Sequence, residues 1–320
     1  MLGGARYLEL ADKAKHVSQC LQLAILLEAG AHKPGNVSVV TNFEKTRYEH
    51  FLASAVAVGP SFEAAAKKGT EIGEGRVPVA NVGVGQVIKN SVTVVNAWQH
   101  GGNTLLGTII LLSPLAIAAG MISTAAFKIS ELRKNVRLVV ESTTPEDAVN
   151  VYEAIRIANP AGLGKAPDLD LYDPASTRKI LEERISLYRV FKIAEKYDTV
   201  CSEWVNNYPI TFDVAYPTLT EQIEHKRDLS TAIIQTFLKI LGEYPDTFIA
   251  RKTGMEKARE VSLEAKEILN LGGLATVEGK KRLDRFDREL RRQSNLLNPG
   301  TTADIVCAAL ALCVLGGYRP

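Results

Sequence analysis

The stretch LLGTIILLSPLAIAAGMI, residues 105–122, decides the fold class of this chain. It lies within a longer region, Ser91 to Phe127, that contains no Lys, Arg, Asp or Glu. Its length is enough to cross a bilayer, but the polar run from Gln99 to Thr104 leads into it and Pro114 stands near its middle. These features favour the central buried helix of a large bundle over a membrane span.

Apolar residues recur at helical spacing along most of the chain. Between Leu10 and Ile25 they repeat every three or four residues, as in an amphipathic helix. Helix starts are indicated by a capping-box pattern at 41–44 and by the prolines that follow Thr144 and Asp173. The predicted helices span residues 8–29, 43–58, 61–69, 83–97, 104–122, 145–158, 174–206, 218–241, 255–270, 277–294 and 302–315. Two segments, 136–140 and 210–214, are predicted as strands, too few to build a sheet.

The sequence therefore predicts an all-α protein, a large multi-helix bundle around one buried apolar helix. Residues 1–320 are expected to form a single helical domain, with the Pro-, Gly- and Asp-rich segment 159–174 as the candidate seam. The composition, 46% hydrophobic and 23% charged residues, excludes an intrinsically disordered chain.

Charge and cysteine content exclude several classes of protein. The 38 Lys and Arg residues against 36 Asp and Glu give a net charge of +2, which excludes a dedicated nucleic-acid binder. The four cysteines form no Cys-x-x-Cys, so neither a zinc site nor a disulfide framework is indicated. Residues 1–12 lack the pattern of a secretory signal. We therefore expect a cytoplasmic protein with no nucleic-acid or membrane partner. Because helical bundles with this much apolar helix often pair, a homodimer is a further expectation.

The common motifs of nucleotide and hydrolase sites are absent. The segment 162–166 (GLGKA) lacks the Ser or Thr and the spacing of a P-loop, and 83–88 (GVGQVI) lacks the third glycine of a dinucleotide fingerprint. Neither His-Glu-x-x-His nor Gly-x-Ser-x-Gly occurs, which removes support for a zinc protease or a serine hydrolase. Chemistry is therefore expected in the polar loops between helices.

Two of these loops have the residue types of an anion site. The loop 32–38 (HKPGNVS) supplies the cation Lys33 and a glycine where backbone can approach a ligand; the alternative is a loop that simply ends a helix. The loop 99–104 (QHGGNT) precedes the apolar helix, whose free N–H groups and dipole favour a phosphate. Alternatively, Asn103 or Thr104 only caps that helix.

Two further loops combine acids with other polar groups. Residues 244–254 (YPDTFIARKTG) join Asp246 to a basic pair, which suits a magnesium ligand beside phosphate contacts; the alternative is a solvated turn. Residues 298–304 (NPGTTAD) place Asp304 one turn inside an apolar helix, where a buried acid needs a partner or a metal. If a threonine caps that helix instead, Asp304 is only a first-turn acid that interacts with the helix dipole.

Two other polar regions are interpreted from composition alone. The long segment 159–170 has the composition of a mobile lid and carries Lys165 with two acids. The solvent face of a helix is expected to carry the basic residues Lys280, Lys281, Arg282, Arg288, Arg291 and Arg292.

Four motifs, in this order, resemble those of the triphosphoribosyl-dephospho-CoA synthase family. They are Lys33-Pro34-Gly35, Asn103-Thr104-Leu105-Leu106-Gly107, the Asp-Thr loop 246–254 and Pro299-Gly300-Thr301-Thr302-Ala303-Asp304. The likeness extends over most of the chain, from residue 15 to residue 315. The resemblance implies an all-helical transferase that moves the triphosphoribosyl group of ATP to a ribose hydroxyl of dephospho-CoA and releases adenine.

The resemblance also implies roles for individual residues. Substitution at an anomeric carbon needs carboxylates, cations for the triphosphate and a way to protonate the leaving base. On this interpretation Mg²⁺ is the cofactor, Asp304 and Asp246 hold it or stabilise the developing charge, and Glu28 is the general acid or base. The residues expected to bind phosphate or ribose are Lys33, Gly35, Asn36, Asn103, Thr104, Arg251, Lys252 and Asn298.

Four positions depart from the pattern of family members that serve citrate lyase. Leu105-Leu106 stands where those members have His-Lys, Phe248 where they have Asn, and Ser38 where they have an acid. Segments 143–149 and 158–164 are closer to a branch found in archaea and methylotrophic bacteria. One alternative is therefore ATP-dependent ribosyl or phosphoryl transfer to another ribosyl or pterin-like acceptor, in one-carbon cofactor (methanopterin-type) biosynthesis. The other is a non-catalytic nucleotide-binding module.

Overall fold

The computed structural model describes residues 10–123, 127–225, 228–292 and 294–320. Across these residues the chain forms fifteen α-helices and no β-strand, which confirms the predicted all-α fold. A π-helical turn, Ile210–Ala215, precedes the tenth helix. Residues 8, 9, 226, 227 and 293 of the predicted helices lie outside this description. The helices are α1 (Leu10–Gly30), α2 (Tyr48–Gly73), α3 (Val84–Trp98), α4 (Leu106–Met121), α5 (Ile129–Glu141), α6 (Pro145–Ala158), α7 (Pro174–Glu182), α8 (Leu187–Ala194), α9 (Thr199–Val205), α10 (Tyr216–Glu224), α11 (Leu229–Glu243), α12 (Thr247–Thr253), α13 (Met255–Asn270), α14 (Val277–Arg291) and α15 (Gly300–Leu315).

Both predicted strands are wrong. Residues 136–140 belong to α5, whose valines are buried at helical spacing although the run is rich in β-branched residues. Residues 210–214 belong to the π-helical turn. The buried carboxylate of Glu203 accepts hydrogen bonds from the backbone N–H groups of Ile210 (2.8 Å) and Thr211 (2.9 Å). The turn therefore satisfies its buried donors without a neighbouring strand.

Helix boundaries follow the caps and prolines only in part. The two helices predicted between 43 and 69 are one helix, α2, because Pro60 lies on its exposed side, where the carbonyl that it leaves unbonded can meet water. The helix predicted over 174–206 is three helices, α7 to α9, because Ser186 and Asp198 cap new starts.

Two of the three predicted helix starts are confirmed. Thr144 and Asp173 each accept a hydrogen bond from a backbone N–H of the first turn that follows. The start predicted at 41–44 is wrong, because α2 begins at Tyr48, whose N–H donates to the side chain of Asn42 at 2.8 Å.

Helix α4 lies at the centre of the bundle, as predicted, and residues 108–120 are buried. It packs so closely on α2 that a Cβ added to Gly69 would lie 2.0 Å from the carbonyl oxygen of Ile117. Only glycine allows two helix backbones to approach in this way. Within the described ranges, no helix is both long enough and apolar enough to cross a membrane.

Pro114 opens one hydrogen-bonding position inside α4. Because proline has no N–H, the carbonyl of Ile110 loses its helical partner. The indole N–H of Trp204, in α9, donates to that oxygen at 3.0 Å, and the hydroxyl of Tyr208 donates to the carbonyl of Leu111 at 3.1 Å. These bonds tie α4 to α9 and the turn after it, and keep both buried carbonyls satisfied.

Helix α15 is a second apolar helix, buried from Ile305 to Leu315, and it packs against α1 and α4. The starts of α4 and α15 lie together, since Thr108 in α4 contacts Asp304 in α15 at 2.6 Å. The end of α1 meets them there, because Glu28 and Asp304 line one cavity. This end of the bundle therefore carries the loops in which the sequence predicts chemistry.

Candidate active site

A cavity of about 560 Å³ opens at this end of the bundle. Three of the predicted site residues, Gly35, Asp246 and Lys252, do not line it. The structure thus brings together the four predicted loops, but not every side chain that they carry. The predicted residues that line the cavity are Glu28, Lys33, Asn36, Asn103, Thr104, Arg251, Asn298 and Asp304.

Asp304 forms the floor of the cavity. The hydroxyl of Thr108 donates to its Oδ1 at 2.6 Å, and no other residue in the described chain gives this carboxylate a hydrogen bond or an ion pair. Gly107 makes room for it, since a Cβ there would lie 2.0 Å from Oδ2. Removal from bulk water, together with the nearby carboxylates of Glu28 and Asp246, raises the pKa of Asp304 to about 8. The floor therefore holds an acid that lacks a cation.

A buried ion pair lies in the wall beside this floor. The Nζ of Lys33 lies 3.0 Å from Oε1 of Glu28, and Lys33 is only 1% exposed. Lys33 also donates to the backbone carbonyls of Glu28 and Ala31, the latter at 3.0 Å. Its ammonium group is thus fixed at the C-terminal end of α1, where the helix dipole favours a cation. Lys33 therefore holds Glu28 in position.

Asp246 has a different environment from that of Asp304. It is 2% exposed, and its Oδ1 accepts hydrogen bonds from the N–H groups of Phe248 (2.9 Å) and Ile249 (3.0 Å). Its Oδ2 accepts from the N–H (2.7 Å) and the hydroxyl (2.8 Å) of Thr302. Burial nevertheless raises the pKa of Asp246. Because both oxygens are occupied, this acid caps α12 and ties it to the start of α15.

The loop 32–38 is held in place by α14. Asp287 accepts a hydrogen bond from the N–H of Gly35 at 2.7 Å and pairs with Arg291 at 2.8 Å, and Arg291 donates to the carbonyl of Asn36. Gly35 has a φ of 71°, and a Cβ on it would lie 2.9 Å from a leucine of α14. The prediction that Arg291 lies on the solvent face is therefore wrong, because it turns inward to this loop.

The residues predicted to bind ribose differ in whether their side chains already have hydrogen-bond partners in the protein. The Oδ1 of Asn103 accepts a hydrogen bond from the N–H of Leu106 at 3.0 Å, and the hydroxyl of Thr104 bonds that of Ser54 at 2.8 Å. The Asn103 contact matches the alternative in which the loop caps α4, whereas the Thr104 contact ties the loop to α2. By contrast, the Oδ1 of Asn298 is buried and has no hydrogen-bond partner in the described residues. It is an acceptor that a ligand could satisfy.

The basic pair of α12 is engaged with neighbouring groups. Arg251 lines the cavity and pairs with Asp198 at 3.3 Å. The Nζ of Lys252 lies 3.8 Å from the ring centroid of Phe248 and donates to the carbonyl of Asn295. Burial lowers the pKa of Lys252 to about 8. Of the two, only Arg251 presents its side chain to the cavity.

One side of the cavity was not predicted from the sequence. Residues 159–173, here called the strap, cross it, and apolar side chains of α6 and α8 lie behind them. The hydroxyl of Tyr152 in α6 donates to the carbonyl of Leu169 at 2.5 Å and anchors the strap. The segment predicted as a lid or a seam is therefore part of the cavity wall. Leucines within a Pro- and Gly-rich loop, at 163, 169 and 171, are the signal that could have shown this.

Comparison with known proteins decides the family. A family model described as ATP:dephospho-CoA triphosphoribosyl transferase matches residues 14–320. This chain belongs to that family. A relative from Pseudomonas fluorescens is 24% identical over 81% of this chain and 77% of its own, and one from Malonomonas rubra is 24% identical over 93% and 87%. Both carry the inferred name 2-(5''-triphosphoribosyl)-3'-dephosphocoenzyme-A synthase.

A solved structure shows the same fold in this triphosphoribosyl transferase family. It is a crystal structure from Archaeoglobus fulgidus with the inferred name triphosphoribosyl-dephospho-CoA synthase. It matches with a TM-score of 0.60 and 23% identity, over 84% of this chain and 100% of its own. The helical arrangement is therefore common to the two proteins.

The four departures from the citrate-lyase pattern have distinct positions in this family member. Leu105, Leu106 and Phe248 line the cavity, and Phe248 packs on the start of α15, where a Cβ on Gly300 would lie 2.9 Å from its ring. Ser38 is buried and does not line the cavity. Three departures thus present apolar surface to a ligand, whereas the fourth acts inside its own loop.

Proposed function

We propose that this chain transfers the triphosphoribosyl group of ATP to dephospho-CoA and releases adenine. The family supports the reaction, and the observation that carries the proposal is Asp304 on the cavity floor, a carboxylate without a cation beside a second acid, Glu28. The bond from the anomeric carbon to adenine breaks and a bond to the acceptor oxygen forms. The proton of the acceptor hydroxyl passes to the departing adenine.

The two acids suit different parts of this substitution. The anomeric carbon becomes oxocarbenium-like, and a negative charge held in a cavity of low dielectric constant stabilises that state. Asp304 provides this charge when it is ionised. Glu28, held in position by Lys33 at 3.0 Å, takes the proton of the acceptor hydroxyl. Asn298 and Thr301, which also line the cavity, bind ribose or phosphate oxygens.

The charge of the cavity supports the proposal that the triphosphate binds together with a cation. Five acids line the cavity and only three basic side chains do, so a polyphosphate alone would be repelled. The acids are Glu28, Asp168, Asp170, Asp198 and Asp304, and the basic residues are Lys33, Lys165 and Arg251.

Magnesium fits the residues of the floor. In the described parts of the chain, no group of three or more His, Cys, Asp or Glu side chains has the arrangement of a metal site. Mg²⁺ commonly takes one or two carboxylates and completes its shell with substrate phosphates and water. Asp304, which has no cation among the described residues, would hold it, and it would supply positive charge for the triphosphate. Asp246 is less suited than Asp304, because both of its oxygens already accept hydrogen bonds.

The test is adenine release from ATP and Mg²⁺, with and without dephospho-CoA, followed by mass spectrometry of the conjugate. We expect adenine and a triphosphoribosyl adduct only when dephospho-CoA is present, and neither with Asp304→Asn. Asp284→Asn, on the exposed face of α14, is the matched control and should keep full activity. ATP that binds but stays intact with dephospho-CoA would contradict the proposed acceptor.

The same assay separates the alternatives left open by the sequence. Turnover only with a pterin-like or other ribosyl acceptor would favour one-carbon cofactor biosynthesis. Binding of ATP without turnover of any acceptor would favour a nucleotide-binding module. The homodimer and the cytoplasmic location stay predictions, and sedimentation analysis with cell fractionation would test them.

A further inference from the structure

Two tyrosine rings face the cavity from different parts of the chain. Tyr172 belongs to the strap and is 54% exposed, and Tyr197 belongs to the turn between α8 and α9 and is 40% exposed. In the described residues, neither ring stacks on another aromatic ring or on a cation. A large ring left open inside a cavity offers its face to a ligand.

Acidic residues accompany both tyrosines in the cavity. The Oδ1 of Asp170 accepts a hydrogen bond from the N–H of Tyr172 at 2.9 Å, and Asp198 follows Tyr197 in the chain. All four residues line the same cavity. The two rings therefore open into one binding space.

The helices behind the strap give this side an apolar wall. Helices α6 and α8 contribute Ile155, Phe191 and Ile193 to the lining, and no charged residue. A third tyrosine there, Tyr152, is buried, and its hydroxyl donates to the strap. The charged residues next to the open tyrosines, Asp170 and Asp198, are acids, which repel a phosphate. This combination suits a flat, uncharged ring rather than a phosphate.

We propose that Tyr172 and Tyr197 form a stacking subsite for the adenine ring of a nucleotide substrate. The inference rests on the proposed function, since both ATP and dephospho-CoA carry adenine. A base stacks on an aromatic side chain through its face, and each stacking contact contributes about 1–3 kcal/mol to binding. The strap would then bind the base while the floor binds the charged end of the nucleotide.

Calorimetric titration of the full chain tests the subsite with probes that separate base from phosphate. Adenosine should bind about tenfold more weakly to Tyr172→Ala and to Tyr197→Ala than to the unaltered chain. Tripolyphosphate with Mg²⁺ should bind all three proteins equally. Tyr172→Phe and Tyr197→Phe keep the rings and should restore the affinity for adenosine. Melting temperatures check that the variants fold, and both side chains are exposed enough for truncation to be tolerated.

Three outcomes would overturn the proposal. These are undetectable binding of adenosine to the unaltered chain, unchanged affinity for adenosine in the double alanine variant, and an equal loss of adenosine and tripolyphosphate binding. Kinetics then identify the source of the base, because a rise in KM for ATP alone or for dephospho-CoA alone assigns the subsite to that substrate. The titration needs no turnover, so failure of the proposed reaction and failure of the subsite give different results.

Discussion

The junction between α12 and α15 and the floor of the cavity each hold a carboxylate removed from bulk water, but the protein satisfies the two differently. At the junction, Asp246 accepts four hydrogen bonds, two from α12 and two from Thr302. At the floor, Asp304 has Thr108 as its donor and no cation among the described residues. A carboxylate whose two oxygens already accept hydrogen bonds from the protein stabilises the fold. A carboxylate that lacks a counter-charge can still bind a ligand or a proton.

The largest effect is expected from Asp304→Asn. The amide keeps the shape of the side chain and removes its charge, so kcat for adenine release should fall by about 10³-fold. The melting temperature should not fall, because the variant removes a carboxylate that has no cation. Steady-state kinetics and thermal denaturation of the two proteins measure both quantities. A large loss of stability with this variant would place Asp304 in the same structural class as Asp246.

The next largest effect is expected from Asp246→Ala. Donors of Phe248, Ile249 and Thr302 would lose their acceptor, which should lower the free energy of unfolding by roughly 3 kcal/mol. Urea denaturation measures the change, and Asp284→Asn is again the control. If stability is unchanged while the affinity for Mg²⁺ with tripolyphosphate is lost, Asp246 is a metal ligand and the contrast between the two acids fails.

The pH dependence of protein stability should reveal the raised pKa of Asp304 on the floor of the cavity. Native Asp304 keeps its proton up to about pH 8, whereas an unfolded Asp loses it near pH 4. The unfolded state therefore binds fewer protons between these values, and this residue makes the free energy of unfolding fall as the pH rises through that interval. From pH 5 to pH 8, the melting temperature of Asp304→Asn should rise relative to that of the unaltered chain. Above pH 8 the difference between the two melting temperatures should stay constant. Parallel curves over the whole range would contradict the raised pKa.

The smallest effects come from the threonines that serve the two acids. Thr302→Val removes one of four bonds to Asp246 and should cost about 1 kcal/mol of stability, with kcat unchanged. Thr108→Val removes the hydroxyl that orients Asp304 and should lower kcat about tenfold, with a smaller change in stability. Measuring both variants by kinetics and by urea denaturation shows whether the two effects separate. If both variants changed kcat and stability in the same way, the proposed difference between Asp246 and Asp304 would be wrong.

Much of the fold was predictable, because the charge-free stretch 105–122 and the helical spacing around it allow few other structures. Valine-rich segments misled the prediction, since β-branched residues favour strands locally although burial of one helical face decided the outcome in α5. Pro60 also looked like a helix end. Only the folded chain shows that Pro60 is exposed, as is Val56, whose carbonyl the proline leaves without a helical partner.

The sequence predicted which loops form the site, but it did not predict the function of each side chain in those loops. The motifs grouped Lys33, Asp246 and Asp304, but sequence cannot show how many donors reach each acid. The wall from α6 and α8 was missed for a related reason. Apolar residues that face a cavity have the same helical spacing as apolar residues that face a core. Only packing distinguishes the two.

The indole of Trp204 has a consequence for the order in which this protein unfolds. If α9 detached while α4 stayed buried, the carbonyl of Ile110 would be buried without a hydrogen-bond donor. This would raise the free energy of the partly open state by about 1–3 kcal/mol. Partly open states of that kind are therefore rare. The backbone amides of α4 and α9 should lose their protection against hydrogen exchange together, as one cooperative unit, although the two helices are separated by seventy-seven residues of chain between Met121 and Thr199.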